Sequence, residues 1–301
     1  HAEDGIRDCL LSRGLGDVYK RQLLHGYGES VASNVVRLAL SEKNISYDYN
    51  LLYLESKGDH LKDDYKKLNP KTLIPTLVVN KKPIPESIDI MKFIDNEYPY
   101  QGVSLFPANK DEEFDRLLDY LFLDDTKELG ETFGTTGGGI SVPVLGKLLS
   151  KRSFFAVLWD YLKNHGTSKR KPIFVLVRLF SGPPPGLYKK MMFYLAKHLV
   201  YTEKYLNHGK KYIYGDEYTA ADCLLTPLLH RVNEMRFDGI FNGTEFPNLS
   251  KYWDTISSRP SYKEGIIDYE TGEWKPVLDD LYGNGPNTYN DILWSEIEKL
   301  K

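Results

Sequence analysis

Cysteine is scarce in this chain of 301 residues, which contains only Cys9 and Cys223. So few thiols provide neither a disulfide framework nor a cysteine-rich metal site. The longest apolar runs, such as IFVLV at 173–177, are far shorter than the roughly 20 residues of a membrane-spanning helix. The formal net charge of −3 gives no electrostatic case for binding nucleic acid. These absences predict a soluble, cytoplasmic protein without a transmembrane segment, a metal site or a nucleic-acid partner.

The first 22 residues, HAEDGIRDCLLSRGLGDVYKRQ, lack the periodicity of the sequence that follows them. SRGLGDVYKRQ can be back-translated into a transposase-type sequencing adapter read in frame, and AEDGIRD into the primer that precedes such an adapter. We therefore expect residues 1–22 to be an adapter artefact, the alternative being a genuine N-terminal arm. On this hypothesis native sequence begins at Leu23 at the earliest, its initiator Met is missing, and organelle targeting stays open.

Residues 23–99 alternate between short strand-like patterns and longer helical ones. LLHGY, YDYNLLYL and TLIPTLVV read as strands, and a turn at KKPIP leads into a short fourth strand. SVASNVVRLALSEKN and SIDIMKFIDNEYP read as helices, and HLKDDYKKLNP as a short helix or turn. The order β-α-β-α-β-β-α predicts an α/β domain with a mixed sheet covered by helices.

From residue 108 onward the strand signal fades, and 108–262 reads as an all-helical domain with an insertion at about 134–186. We expect this insertion to be a helical hairpin packed on the domain. The alternative is a docking surface for a partner or a membrane, because its apolar segments adjoin the basic patch SKRK at 168–171. A C-terminal extension, 263–301, is expected to pack back onto the protein because it carries two tryptophans, Trp274 and Trp294.

The stretch NPKTLIPTL at 69–77 places a proline inside an apolar strand pattern. Proline removes a donor from the hydrogen-bond ladder, so it belongs at a sheet edge or a special turn. A cis Ile74–Pro75 bond would turn the backbone N–H and C=O of Ile74 outward, toward an extended peptide ligand. An ordinary trans proline is the alternative.

Glu86 and Ser87 fall where the last predicted strand turns into a helix. The free N–H groups of a helix start, together with a serine hydroxyl, suit a carboxylate. The glutamate can accept an ammonium group. This pair therefore matches the headgroup of an α-amino acid, although an ordinary helix cap would use the same residue types.

These pieces in this order resemble the cytosolic glutathione transferases. The resemblance covers 23–98, resumes at 187–262, and is most specific in LNPKTLIPTL followed by PESIDIMKFIDNEYP. It implies a thioredoxin-like domain followed by a helical domain, with glutathione as cosubstrate and a homodimer as the usual assembly. The family's cis-proline loop and glutamyl site fall on four residues of this chain, Ile74, Pro75, Glu86 and Ser87.

KGDHLKDDYKKLNP resembles the theta and zeta classes, which place a histidine nine residues before that asparagine. The resemblance assigns His60 to the glycyl end of glutathione, a solvated loop histidine being the alternative. The chain departs from the family at Leu73, where a Lys or Gln often contacts the tripeptide.

GYGESVASNVVRLAL resembles the family's Ser-type active-site turn, which makes Ser30 the thiol-activating hydroxyl. A free thiol has a pKa of about 8.5, so a hydroxyl donor and a helix N-terminus would favour the thiolate. Tyr27 and Ser33 are the nearby competitors for this role. Classes that use a cysteine here are excluded, and the serine pair of the zeta class is replaced by Ser30 and Val31.

The sequence DEYTAADCLLTPLLHR contains a helix capping box, Thr219 to Asp222, which the family has at its buried core helix. Cys223 and His230 are interpreted as structural residues of that helix. We therefore predict a Ser-type glutathione transferase that conjugates the glutathione thiolate to a small electrophile. The alternative is a weakly active or non-enzymatic scaffold resembling the ganglioside-induced differentiation-associated proteins, which share a long insertion and a similar LHR-type helix.

Overall fold

The computed structural model describes residues 22–167 and 171–301. Residues 1–21, which include most of the expected adapter segment, and residues 168–170 of the basic patch lie outside the described part. The N-terminal elements are β1 (Gln22–Gly26), α1 (Val31–Glu42), β2 (Asp48–Leu51), α2 (Asp63–Leu68), β3 (Thr76–Val79), β4 (Lys82–Pro85) and α3 (Ser87–Glu97). Their order is the predicted β-α-β-α-β-β-α.

The four strands form one mixed sheet in the order β2-β1-β3-β4. Leu24 of β1 pairs with Tyr49 of the parallel strand β2 and with Leu77 of the antiparallel strand β3. Leu24 and Leu77 are fully buried, and they pack against Val36 and Leu40 of α1 and Ile90 of α3. The apolar sides of those two helices are thereby buried against the sheet.

The helical part begins with α4 (Glu112–Leu121) and continues with α5 (Phe133–Ile140), α6 (Val142–Ser150), α7 (Phe154–Asn164), α8 (Lys171–Phe180), α9 (Leu187–Tyr205) and α10 (Ala220–Glu234). It ends with α11 (Pro247–Ser257), α12 (Pro260–Gly265), α13 (Trp274–Tyr282) and α14 (Asn290–Leu300). Nearly every residue of α10 is buried, and its Thr219–Asp222 capping box is present as predicted. In the described part of the chain, no helix combines the length and apolar character needed to cross a bilayer.

The segment 133–180 contains four helices, whereas the sequence predicted a single hairpin. Phe133 and Ile140 of α5, with Val144 and Leu148 of α6, belong to the main core of the protein. The helices α7 and α8 instead belong to a separate small cluster, in which Val157, Tyr161 and Val177 are buried together with Leu61, Val142 and Leu149. We call residues 154–180 the outer hairpin.

The C-terminal extension packs back onto the protein, as predicted. Leu293 and Ile297 of α14 lie in the main core, and α14 packs along α9. Trp274 of α13 is buried as well. The indole N–H of Trp294 donates to the carbonyl of Asp238 at 3.1 Å.

Candidate functional site

A cavity of about 560 Å³ lies where the sheet domain, the helical part, the outer hairpin and the C-terminal extension meet. Its walls come from the turn before α1, the loop before β3, and helices of the main core. Its lining residues include Tyr27, Ser30, His60, Thr72, Leu73, Ile74, Asp125, His165, Phe174, Arg231 and Trp274.

Ser30 caps the N-terminus of α1 and lines this cavity. Its Oγ accepts a hydrogen bond from the N–H of Ser33 at 3.2 Å, and its carbonyl accepts from Asn34 at 2.9 Å. A hydroxyl that accepts still has its own O–H to donate. The partial positive charge of the helix N-terminus lies at the same place. Ser30 therefore combines a hydrogen-bond donor with a potential that favours an anion.

The two competing hydroxyls are engaged elsewhere. The Tyr27 O–H donates to Oε2 of Glu273 at 3.0 Å, and burial beside several carboxylates raises the pKa of Tyr27 far above its usual range. The Ser33 Oγ is buried and accepts from the N–H of Tyr27 at 3.3 Å. Both groups hold the turn in place.

The loop before β3 contains the cis Ile74–Pro75 bond that its sequence indicated. Ile74 precedes Thr76, the first paired residue of β3, so its backbone lies outside the sheet ladder. The carbonyl of Leu73 accepts from the Asn69 amide at 2.8 Å and from the Tyr65 hydroxyl at 2.5 Å. The loop is therefore fixed by side chains behind it, while Ile74 faces the cavity.

His60 lines the cavity and is only 5% exposed, which contradicts the alternative of a solvated loop histidine. Its ring centroid lies 6.0 Å from that of Tyr161 and 6.4 Å from that of His165, both contributed by the insertion. Burial, reinforced by His165 and Arg152, lowers the pKa of His60 to about 3. His60 is thus a neutral imidazole at neutral pH, and its Nδ1 has no partner within the described residues.

Glu86 and Ser87 begin α3, and Glu86 has a positive φ of 68°. Neither residue lines the cavity, nor does Pro75. The Lys71 ammonium lies 2.9 Å from Oε1 of Glu86 and 3.5 Å from Oδ1 of Asp125, which does line it. This pairing raises the pKa of Lys71. Glu86 is therefore connected to the edge of the cavity through one ammonium group.

Arg231 and Trp274 are cavity residues that the sequence did not indicate. The guanidinium carbon lies 3.9 Å from the centre of a Trp274 ring, and Nη1 donates to the Ser141 hydroxyl at 2.8 Å. Nη2 donates to the carbonyl of Glu29, and Nε lies 3.0 Å from Oε2 of Glu234. The contact between Arg231 and Glu29 joins residues 202 positions apart, so no local motif could have revealed it.

The surroundings of Asp222 and Cys223 are those of residues that stabilise the fold. The Asp222 carboxylate accepts from the N–H of Thr219 at 2.8 Å, the N–H of Ile213 at 3.1 Å and the hydroxyl of Tyr252 at 2.8 Å. Burial nevertheless raises its pKa to about 6, and burial also raises the pKa of the Cys223 thiol. Across residues 22–167 and 171–301, no group of three or more His, Cys, Asp or Glu could hold a metal ion.

Comparison with known proteins matches both parts of the chain. The family model described as glutathione S-transferase, N-terminal domain, matches residues 30–97, and the one for the C-terminal domain matches residues 189–264. Glutathione S-transferase Z1 of Arabidopsis thaliana is 38% identical over 247 residues, which are 81% of this chain and 90% of the relative. A probable maleylacetoacetate isomerase of Caenorhabditis elegans is 24% identical over 245 residues, covering 81% of this chain and 92% of the relative.

Solved structures share the fold. A β-etherase from Sphingobium sp. strain SYK-6 aligns with a TM-score of 0.68 and 23% identity, over 81% of this chain and 98% of that one. A zeta-class bacterial maleylpyruvate isomerase aligns with a TM-score of 0.58 and 18% identity, over 83% of this chain and 99% of that one. The predictions of a thioredoxin-like domain followed by a helical domain, and of an enzyme rather than a scaffold, are confirmed. The chain belongs to the glutathione S-transferase family and is a glutathione-dependent enzyme.

Proposed function

We propose that this enzyme joins the sulfur of glutathione to an apolar electrophile, and that Ser30 stabilises the attacking thiolate. In a substitution, the new S–C bond forms as the leaving group departs with its electron pair, and the thiol proton goes to solvent. The observation that carries the proposal is the Ser30 hydroxyl at the start of α1, on the cavity wall.

The required stabilisation is modest. Lowering a thiol pKa by about two units needs roughly 2.7 kcal/mol of preferential binding of the thiolate. A charge-assisted hydrogen bond contributes about 1.5–3 kcal/mol, and a helix N-terminus adds a few tenths to about 1 kcal/mol. One serine hydroxyl on a helix end is therefore sufficient.

The tripeptide is proposed to bind across the loop before β3. The backbone of Ile74, held by the cis Pro75, would pair with the cysteinyl part, while Glu86 and Ser87 would take the α-amino acid headgroup. His60 would face the glycyl end as a neutral hydrogen-bonding group. Asn69 and Tyr65 support this arrangement by fixing the neighbouring carbonyl of Leu73.

The remaining walls favour an apolar electrophile. They are formed mainly by aliphatic and aromatic side chains from the helical part and the outer hairpin, including Leu123, Leu129, Leu145, Phe174, Met191 and Trp274. The Arg231 guanidinium is already occupied by Glu29, Glu234 and Ser141. An aromatic ring or short alkyl chain suits such walls better than a strongly charged substrate.

A second candidate is cis–trans isomerisation, in which the thiolate adds to a double bond and later leaves without net conjugation. Its support is that several relatives are named maleylacetoacetate or maleylpyruvate isomerases. Lys127 and Lys190 line the same cavity and could bind the carboxylate of a maleyl group. The replacement of the zeta-class serine pair by Ser30 and Val31 favours conjugation.

Two assays separate the candidates. With glutathione and a chloronitrobenzene, we expect formation of the thioether, and with glutathione and maleylacetoacetate we expect no catalysed isomerisation. A purified, folded enzyme that isomerises the second substrate and leaves the first unchanged would contradict conjugation as the principal activity.

We also propose the domain limits 23–99 and 108–262, the insertion at 134–186, the extension at 263–301, a homodimer and a cytoplasmic location. The homodimer is supported only by family membership. Sedimentation equilibrium should give twice the mass of the chain, and a concentration-independent monomer would contradict the dimer.

A further inference from the structure

The outer hairpin presents apolar side chains to solvent along α7. Phe155, Trp159 and Leu162 are 77%, 63% and 51% exposed. Their spacing of four and three residues places them on one stripe of the helix. The opposite side of α7 supplies Val157 and Tyr161 to the buried cluster. This helix therefore has two apolar sides, of which only one is covered by the protein.

The next helix repeats the arrangement. Tyr161 of α7 stacks on Phe174 of α8 with 4.6 Å between ring centroids, and Val177 of α8 is buried beside them. The outward residues of α8 are between 40% and 58% exposed, and they are Ile173, Leu176, Leu179 and Phe180. Seven large apolar side chains exposed within 27 residues are unusual on the surface of a soluble protein.

The outer hairpin and the three residues before it carry a concentration of positive charge. Residues 151–180 contain seven Lys or Arg, at 151, 152, 163, 169, 170, 171 and 178, and a single acidic residue, Asp160. The segment has a formal charge of +6 in a chain whose total is −3, so the other residues carry −9. Asp160 is paired with Arg152, and the Lys163 ammonium lies 4.9 Å from the centre of a Trp159 ring.

We propose that the outer face of the hairpin docks on an anionic lipid surface. Apolar and aromatic side chains with Lys and Arg beside them are what an interfacial amphipathic helix presents to acyl chains and acidic headgroups. At about 1.5 Å per residue, helices of 11 and 10 residues lie in the interface and cannot span a bilayer.

Charge complementarity favours lipid over a second copy of the chain. Two copies of a segment with a formal charge of +6 would repel each other, whereas an acidic bilayer attracts both the lysines and, through its interior, the apolar stripe. The docking is tested independently of the proposed function, because Phe155, Trp159 and Leu179 do not line the cavity, although Ile173 does.

Flotation of the full chain with vesicles tests this directly. We expect it to float with vesicles of phosphatidylcholine and phosphatidylserine, and to bind pure phosphatidylcholine at least about tenfold more weakly. A Phe155→Ser/Trp159→Ser/Leu179→Ser variant should lose at least about tenfold in affinity for the acidic vesicles, because the apolar contact is removed. Conjugation activity without vesicles verifies that this variant is folded.

The matched control is Tyr100→Ser/Phe193→Ser/Tyr201→Ser, which removes three exposed aromatic residues from other surfaces and should float like the wild type. Lys151→Glu/Lys163→Glu keeps the stripe and lowers the formal charge of residues 151–180 from +6 to +2, so its preference for phosphatidylserine should be weaker than that of the wild type. Absence of flotation with acidic vesicles would overturn the proposal, as would equal flotation of the wild type and the hairpin triple variant. A wild-type dimer that the triple variant converts to monomer without vesicles would instead show that a second copy covers this face.

Discussion

The hydroxyl of Ser30 differs from the competing hydroxyls of Tyr27 and Ser33 in its bonding or in its access to the cavity. Tyr27 donates to Glu273, and Ser33 supports the turn from within. Ser30 only accepts, from the N–H of Ser33, so its proton is left for a group in the cavity. Residue type and position predicted the candidate, whereas the bond from Tyr27 to Glu273 and the burial of Ser33 away from the cavity distinguish Ser30 from its competitors.

The carboxylate of Glu86 gives a prediction about binding. Glu86→Gln should raise the KM for glutathione about tenfold or more with little change in kcat. The reason is that a charge-assisted hydrogen bond to the α-ammonium group of glutathione is lost. Lys71→Gln is the control, because it removes the ammonium that occupies Glu86 and should lower that KM. Steady-state kinetics with varied glutathione measures both, and an unchanged KM in Glu86→Gln would exclude Glu86 from the glutamyl site.

The capping carboxylate of Asp222 gives a prediction about stability. Asp222→Asn should reduce the free energy of unfolding by about 3 kcal/mol, because an amide replaces a carboxylate that accepts four buried hydrogen bonds. Urea denaturation measures the change. The folded variant should keep the wild-type KM for glutathione, and a loss of activity without a loss of stability would mean that Asp222 has a catalytic role.

Among the elements, the sheet and its helices could be predicted from the sequence. Their apolar residues recur at the spacing expected for strands and helices that bury one side against each other. The helix α5 could not be predicted in this way, because it contains Gly134, Gly137, Gly138 and Gly139, which are poor helix formers. A Cβ at Gly137 would lie 2.6 Å from Leu228, and one at Gly139 would lie 2.4 Å from Met191. These glycines permit close packing on α9 and α10, a tertiary requirement that overrides local propensity.

The contact between the insertion and the loop before β3 gives a prediction about how these two elements are coupled. The Gly166 N–H donates to Thr72 Oγ1 at 3.0 Å, and a Cβ there would lie 2.1 Å from the carbonyl oxygen of Pro70. Gly166→Ala should displace this loop and raise the KM for glutathione several-fold, with a smaller effect on the KM for the electrophile.

Gly215→Ala is the control for that substitution, because its Cβ would meet nothing within 4 Å. It should leave both KM values unchanged. If Gly166→Ala behaved like Gly215→Ala, the insertion would have no influence on the glutathione site.

At the scale of the whole molecule, the cavity depends on contacts that join distant parts of the chain. Thr271 in the C-terminal extension donates through its N–H and Oγ1 to Glu29, at 2.9 and 2.6 Å. Glu29 adjoins Ser30 in the chain, so the extension supports the turn before α1. Its tryptophans indicated packing, but their positions could not be predicted, because contacts of such sequence separation leave no local pattern.

Buried His230 makes stability depend on pH. Burial, with Arg231 and Arg37 nearby, lowers the pKa of His230 to about 3, below its unfolded value of about 6.5. Between these values the unfolded chain binds the extra proton, so stability decreases as the pH falls below 6.5. From pH 7 to pH 5 the contribution of this residue is a loss of about 2 kcal/mol.

His230→Gln should therefore lose less stability than the wild type over that interval, by about 2 kcal/mol. Urea denaturation at pH 7 and pH 5 gives the difference, which does not depend on the absolute stability of the variant. Equal losses in the two proteins would mean that His230 takes up a proton in the folded state.

The most direct measurement is the ultraviolet absorbance of the thiolate of bound glutathione across pH, in the wild type and in Ser30→Ala. We predict that the wild type lowers the thiol pKa by about two units, and that Ser30→Ala returns it toward the free value of about 8.5. Ser30→Thr, which keeps a hydroxyl at the helix cap, should retain much of the lowered pKa. The same lowered pKa in the wild type and in Ser30→Ala would contradict the assignment of Ser30.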